Sequence, residues 1–216
     1  MIVNAARSIR ARIEVPSDKS ISHRSLIFNA IADGPATVER ILESEDVRST
    51  AACLAALGVE IDWPEGAPVA HVRGNGLHSL FEAEDVLDSG NSGTSMRLLL
   101  GLLAGQPLLS ILTGDASLRT RPMGRVITPL RSMGAQISAR KGDTLAPVVV
   151  KGGSLHAIDY KSPVASAQVK SAIMLAGLYA DGPSTVTEPE KSRDHTERML
   201  SAMGAEVSES GSTTRI

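Results

Sequence analysis

The sequence has a single cysteine, Cys53, among 216 residues. No internal disulfide can form, so the expected setting is a reducing, cytoplasmic one. Aromatic residues make up only 2% of the chain, too few for a surface that stacks nucleic-acid bases. Neither sign of charge dominates: 22 Lys and Arg stand against 24 Asp and Glu. No basic footprint for a phosphate backbone follows, and no nucleic-acid partner is expected. Long apolar runs are missing too. The longest, Leu98 to Leu112, is broken by Gln106 and Pro107 and is too short to span a bilayer. The first dozen residues carry Arg7, Arg10 and Arg12, but the apolar stretch of a secretion signal does not follow. The alternation Ile9, Ile13, Val15 reads instead as a first strand. Five histidines show no metal-ligand spacing with Cys53 or with one another. There is no P-loop and no Gly-x-Ser-x-Gly elbow, and "GNG" at Gly74–Gly76 is a turn rather than a dinucleotide fingerprint. Neither a metal nor a cofactor is expected.

What the chain does have is internal repetition, the first thing to seek in a sequence of this length. "SEDVRSTAACLAALGVEI", "DASLRTRPMGRVITPLRSMGAQI" and "KSRDHTERMLSAMGAEV" each run from a polar start through a helical apolar period to a glycine and a short alternation. The closing glycines are Gly58, Gly134 and Gly204, where a left-handed residue ends a helix. A second set lies upstream: "SDKSISHRSLIFNAIADGPATV", "SGNSGTSMRLLLGLLAGQPLLSIL" and "SPVASAQVKSAIMLAGLYADGPSTV", closing at Gly34, Gly105 and Gly182. Strands are expected at Ala36–Val38, Ser110–Leu112 and Thr185–Thr187, then at Val59–Ile61, Gln136–Ser138 and Glu206–Ser208. "LAPVVVKG" is a further strand. The organisation is α/β with repeated crossovers.

The first helix of each unit opens on small hydroxyl or amide residues and soon reaches a cation. Unit one has Lys19, Ser20, Ser22 and Arg24. Unit two has Asn91, Ser92, Thr94, Ser95 and Arg97. Unit three has Ser162, Ser166, Gln168 and Lys170. A helix N-terminus already carries free N–H groups and partial positive charge, so a cation there is unfavourable unless an anion joins it. Capping alone explains the hydroxyls. Three equivalent ends with cations point further, to a site for an anion such as phosphate. Gly90 and Gly93 let a ligand approach the backbone. The second helices add Arg119, Arg121, Arg125 and Arg193, and Pro122 is suited to a first helical turn. Cys53 reads as a buried small apolar residue and His23 as a packing residue.

The motifs "PSDKSISHR", "GNSGTSMR", "RPMGR", "SAQVKSA" and "RDHTERML", in this order, resemble the 5-enolpyruvylshikimate-3-phosphate synthase family, in the form often called class II. The resemblance runs from about Ile13 to the end. It implies a two-domain, inside-out α/β barrel in which each domain holds three βαβαββ units. Residues 1–15 would be a strand segment of the other domain. Residues 16–216 would form one three-unit domain, with units at about 16–84, 85–157 and 158–216. The resemblance implies transfer of the enolpyruvyl group of phosphoenolpyruvate to the 5-hydroxyl of shikimate 3-phosphate. Lys19, Ser20, Arg24, Ser166, Ala167, Gln168 and Arg193 would bind shikimate 3-phosphate. Lys19, Asn91, Gly93, Thr94, Arg97, Arg121 and Gln168 would face phosphoenolpyruvate, with Lys19 acting electrostatically in catalysis. Members are about twice this long and draw their proton-transferring Asp and Glu from the other half. The chain alone is therefore expected to be inactive, with a C-terminal half-chain as partner and a monomeric complete enzyme. Two alternatives stand beside this: a non-catalytic phosphate-binding half-domain, and the sister transferase acting on UDP-N-acetylglucosamine.

Overall fold

A computed structural model describes Ser8 and residues 10–216. In chain order its elements are α1 (Lys19–Ala30), β1 (Asp33–Glu39), α2 (Glu45–Ala56), β2 (Glu60–Asp62) and β3 (Val69–Asn75). Next come β4 (Leu87–Asp88), α3 (Gly93–Ala104), β5 (Leu109–Thr113), α4 (Gly124–Ser132), β6 (Gln136–Ala139), the short turn α5 (Arg140–Asp143) and β7 (Leu145–Lys151). Last are β8 (Asp159–Lys161), α6 (Ala167–Gly177), β9 (Thr185–Thr187), α7 (His195–Ala202), β10 (Ser208–Ser210) and β11 (Thr213–Arg215).

Local chemistry explains the helix ends. Asp18, Ser44, Ser92 and Ser166 cap α1, α2, α3 and α6 by accepting from the backbone N–H three residues on. Pro122 does not open a helix as expected. α4 starts at Gly124 after Met123, and its proline, Pro129, lies inside. The glycines that end the second helices, Gly58, Gly134 and Gly204, have φ of 89°, 102° and 95°, as the left-handed stop requires. Among the upstream glycines only Gly34 is left-handed, with φ 92°. Gly105 caps α3 at φ −92°. There the tight fit is steric, since a methyl would stand 2.3 Å from the Tyr179 ring.

The strands form three sheets of one design, β1-β3-β2, β4-β5-β7-β6 and β8-β9-β11-β10. In each, the strand after the first helix pairs antiparallel with the last strand, which pairs antiparallel with the third. In units two and three a leading strand adds in parallel, β4 beside β5 and β8 beside β9. β10 begins at Ser208, two residues later than expected. Unit one has no leading strand among the described residues. Residues 10–18 form no element, and Ile13 and Val15 are exposed because no described strand lies beside them. The remainder of the expected opening strand, residues 1–7 and 9, lies outside the described residues.

The first helices lie inside and the sheets outside. Leu98, Leu99, Leu100, Leu102 and Leu103 of α3 are buried, as are Ile173, Met174 and Leu175 of α6. α3 and α6 cross closely at Gly101, where a methyl would meet the Ala172 carbonyl oxygen at 2.3 Å. The sheets show the alternation of elements covered on one face, as in Val69–Asn75. α3 packs against α6 and α1, and Arg24 of α1 donates to Ser171 of α6, which brings the three N-terminal ends to one side of the molecule.

Candidate functional site

At that side lies a cleft of about 220 Å³. α1 contributes Lys19, Ser20 and Arg24 to its wall, and α3 contributes Thr94. α6 adds Ala167 and Gln168, the turn before α7 adds Arg193, and α7 opens on His195. A second hollow of about 200 Å³ adjoins it, lined by Arg97, Arg125, Ser166 and the shared Gln168. Residues up to 176 positions apart in sequence thus meet because three helix starts and the turn into α7 share one end of the fold.

The polar contacts cross the repeats. Gln168 accepts from Arg97 Nη1 at 2.7 Å and donates to Thr94 Oγ1 at 2.9 Å, tying α6 to α3. Arg193 donates to Ser20 Oγ at 3.3 Å, tying the α7 turn to α1. Arg121 donates to Asn91 Oδ1 and to Ser117 Oγ, and Asn91 donates to Asp115 at 2.7 Å. Asn91 therefore orients Arg121 directly. A methyl built on Gly93 would stand 2.8 Å from Arg97 Nη1 and 3.7 Å from Arg121 Nη1, so the bare backbone of Gly93 faces two guanidinium groups. Ser166 spends its hydroxyl on the α6 cap.

Charge is unbalanced here. Lys19 pairs with Asp46 at 2.8 Å. Arg24, Arg97, Arg121 and Arg193 form no ion pair among the described residues, whereas Arg48 and Arg131, away from the cleft, do. Arg24 is 3% exposed, and its guanidinium donates to Ser20 O, Ser171 Oγ and Thr196 Oγ1. Burial pulls its pKa down to about 10, partly offset by Glu197. Burial lowers that of Arg97 as well, with Arg121 and Arg125 adding to the effect. Crowded, desolvated cations disfavour their own charge, and a bound anion relieves that directly.

Lys170 departs from the expected pattern. It does not reach the cleft but lies 2% exposed beneath it, 2.9 Å from Glu188 and 2.5 Å from Glu197. Its helical phase turns it into the interior. The two carboxylates carried no signal in the sequence, because each stands among ordinary polar neighbours. Asp46 was missed as well; the one clue was its place two residues after the capping serine of α2. His195 also escaped notice, although it opens α7 just after Arg193. Cys53 is buried and free, and burial pushes its thiol up to about 12. His23 is buried, held by Thr50 at 2.7 Å. No group of three metal-ligating side chains occurs among the described residues, and no helix there is long and apolar enough to cross a membrane.

Comparison with known proteins bears on the family and the fold. The family described as EPSP synthase (3-phosphoshikimate 1-carboxyvinyltransferase) matches residues 3–216. The 3-phosphoshikimate 1-carboxyvinyltransferase of Desulforudis audaxviator is 54% identical over 214 residues, which are 99% of this chain and 50% of that protein. That of Gloeobacter violaceus is 57% identical over 215 residues, again 99% of this chain and 50% of the other. The solved EPSP synthase from Acinetobacter baumannii is 49% identical with a TM-score of 0.91, over 94% of this chain and 46% of that one. The chain spans about half the length of the curated relatives it matches.

Proposed function

The chain belongs to the EPSP synthase family, and from that premise we propose that it supplies one half of an enzyme that joins phosphoenolpyruvate to shikimate 3-phosphate. The observation that carries this reading is the convergence of Lys19, Arg24 and Arg193 on one cleft, with Arg97 and Arg125 lining the adjoining hollow; none of these four arginines forms an ion pair among the described residues. Two phosphates and a carboxylate must be held close together in this reaction, and their repulsion has to be offset. Ser20, Arg24, Ala167, Gln168 and Arg193 bind the phosphorylated shikimate, with Ser166 holding the α6 end in place. Asn91, Gly93, Thr94, Arg97 and Arg121 receive phosphoenolpyruvate. Lys19 and Gln168 stand between the two and touch both.

In the reaction a proton adds to the methylene carbon of phosphoenolpyruvate, and the shikimate 5-hydroxyl attacks the adjacent carbon and loses its proton. The tetrahedral intermediate then expels phosphate and gives up a proton from the new methyl group. Positioning and charge stabilisation are the work of this half. Lys19 offsets charge at the reacting centre. Asp46 contacts Lys19 and Asp115 contacts Asn91, and the family resemblance assigns the acid–base pair to the other half. The complete enzyme is a cytoplasmic monomer without a cofactor.

Mixing the chain with both substrates should release no phosphate, and release should begin when the C-terminal half of a relative is added. Turnover by the 216-residue chain alone would overturn the division of labour. No release with both halves present, and no binding, would overturn the assignment. A phosphate-binding half-domain without turnover describes the isolated chain on this view. The UDP-N-acetylglucosamine alternative loses ground because Cys53 is a buried thiol in α2 rather than a loop nucleophile. Gly93→Ala in the complete enzyme should give tolerance to glyphosate and weaken phosphoenolpyruvate less, since the methyl projects toward Arg97 and Arg121. Paired inhibition and saturation curves check this; equal glyphosate inhibition in parent and variant would contradict it.

A further inference from the structure

Beneath the cleft, unit three holds ions where unit two holds hydrocarbon. Val186 and Leu112 each stand nineteen residues after the first residue of their helices, Ala167 and Gly93. In that alignment Lys170 falls on Met96, which is fully buried. Aligned on their closing glycines, Gly204 and Gly134, α7 and α4 place Glu197 on Ile127, 1% exposed. The fold therefore accepts an apolar pair at these two positions. Replacing such a pair with buried ions does not in general add stability, so the ions of unit three need another explanation.

Glu188 supplies one. It follows β9 and is 3% exposed. One oxygen accepts from the Ser166 backbone N–H at 2.8 Å. The other accepts from Ser192 Oγ at 2.7 Å, from the Ser192 N–H at 3.3 Å, and from Lys170 at 2.9 Å. One carboxylate thus grips both segments of unit three that reach the cleft: the start of α6, which carries Ala167 and Gln168, and the turn that carries Arg193. Lys170 lies between it and Glu197, so the buried trio carries one net negative charge, which Arg24 feels without forming an ion pair.

We propose that Glu188 is a positioning residue for the shikimate 3-phosphate side of the cleft, with Lys170 present to keep its charge buried there and Glu197 holding Lys170 in place. This rests on the proposed function for the identity of the ligand, but the coupling of the two segments does not. The opposing electrostatic view makes the opposite forecast. Glu188 puts a negative charge near a site for anions, so Glu188→Gln should tighten binding if charge alone mattered. On the positioning view the amide has one acceptor oxygen where the carboxylate has two: turned to Ser192 and Lys170 it presents its NH2 to the Ser166 N–H, so the grip on both segments is lost and binding weakens.

The experiment uses the 216-residue chain, with parent, Glu188→Gln and Ser192→Ala compared by NMR. Amide exchange without ligand should quicken together at Ser166 and at Ser192–Arg193 in Glu188→Gln, leaving unit two unchanged. Titrated shikimate 3-phosphate should bind that variant about tenfold more weakly, as loss of one charge-assisted hydrogen bond implies. Phosphoenolpyruvate, titrated in parallel, should change less. Ser192→Ala removes only one hydroxyl contact and should move the Arg193 turn in the same direction, which decides the matter should Glu188→Gln fail to fold. Unchanged exchange in folded variants, or equal or tighter binding of shikimate 3-phosphate, would overturn the proposal. A parent that binds no shikimate 3-phosphate would sink the reading of the cleft instead, and the exchange result would still decide the role of Glu188.

Discussion

Units two and three start their first helices with the same kind of residues and then put their charges on opposite sides of the cleft wall. In unit two, Met96 and Ile127 are buried apolar residues at the matching positions, and Arg97 feels the charges of Arg121 and Arg125. In unit three those positions hold Lys170 and Glu197, and Arg193 lines the cleft. The difference is one of helical phase. Lys170 is three residues past the start of its helix, Arg97 four and Arg24 five. At about 100° per residue, these point in three directions. A cation near a helix start is therefore not yet a ligand. The turn it occupies decides whether it faces solvent, a neighbouring helix or a pair of carboxylates.

Giving unit three the apolar residue of unit two at one position only should have the largest effect. Lys170→Met leaves Glu188 and Glu197 buried without their partner and should cost about 3–5 kcal/mol of unfolding free energy. Met96→Leu at the matching place should cost less than about 1.5 kcal/mol. Urea unfolding of both variants checks this, and similar small losses would mean that the cluster is solvated.

Unit one carries a buried polar contact at the neighbouring pair of positions. His23 on α1 meets Thr50 on α2, as Ser171 on α6 meets Thr196 on α7. Burial holds His23 down to about 4, below its usual 6.5. The folded chain then keeps it neutral while the unfolded chain takes up a proton. Stability from this residue is full above pH 6.5 and is lost as pH falls toward 4, by up to roughly 3 kcal/mol. Unfolding curves at pH 7 and pH 4.5 should differ less in His23→Gln than in the parent. An equal acid loss in both would assign it elsewhere.

On the cleft side of unit two, Arg121→Ala should leave the melting temperature unchanged, because the side chain only contacts Asn91 and Ser117. Phosphoenolpyruvate binding should weaken by about 1.5–3 kcal/mol, the range for a charged hydrogen bond. A fall in melting temperature with binding retained would move Arg121 to the structural side of the comparison.

Much of this was legible in the residues. The 76- and 70-residue steps between Gly58, Gly134 and Gly204 marked the repeat because a left-handed stop leaves few alternatives to glycine. Asp18, Ser44, Ser92 and Ser166 marked helix starts because capping is local chemistry. The convergence of Lys19, Thr94, Gln168 and Arg193 could be expected only through the repeat and the family resemblance, since no local rule brings distant residues together. Lys170 was misread because its carboxylate partners are 18 and 27 residues away. The opening alternation at Ile13 and Val15 suited a strand, but a strand needs a neighbour, and none of the described residues supplies it.

The central claim is that the converging helix starts hold a phosphate ligand, and Lys19→Met tests it most directly. Lys19 is about half exposed and its one ion pair is with Asp46, so its loss should change stability by no more than about 1 kcal/mol. NMR titration of shikimate 3-phosphate into the parent should shift Ser20, Gln168 and Arg193 together and saturate. In Lys19→Met the same shifts should need far more ligand while the melting temperature stays within a few degrees. A large drop in melting temperature with the titration unchanged would make Lys19 a structural residue and contradict the account.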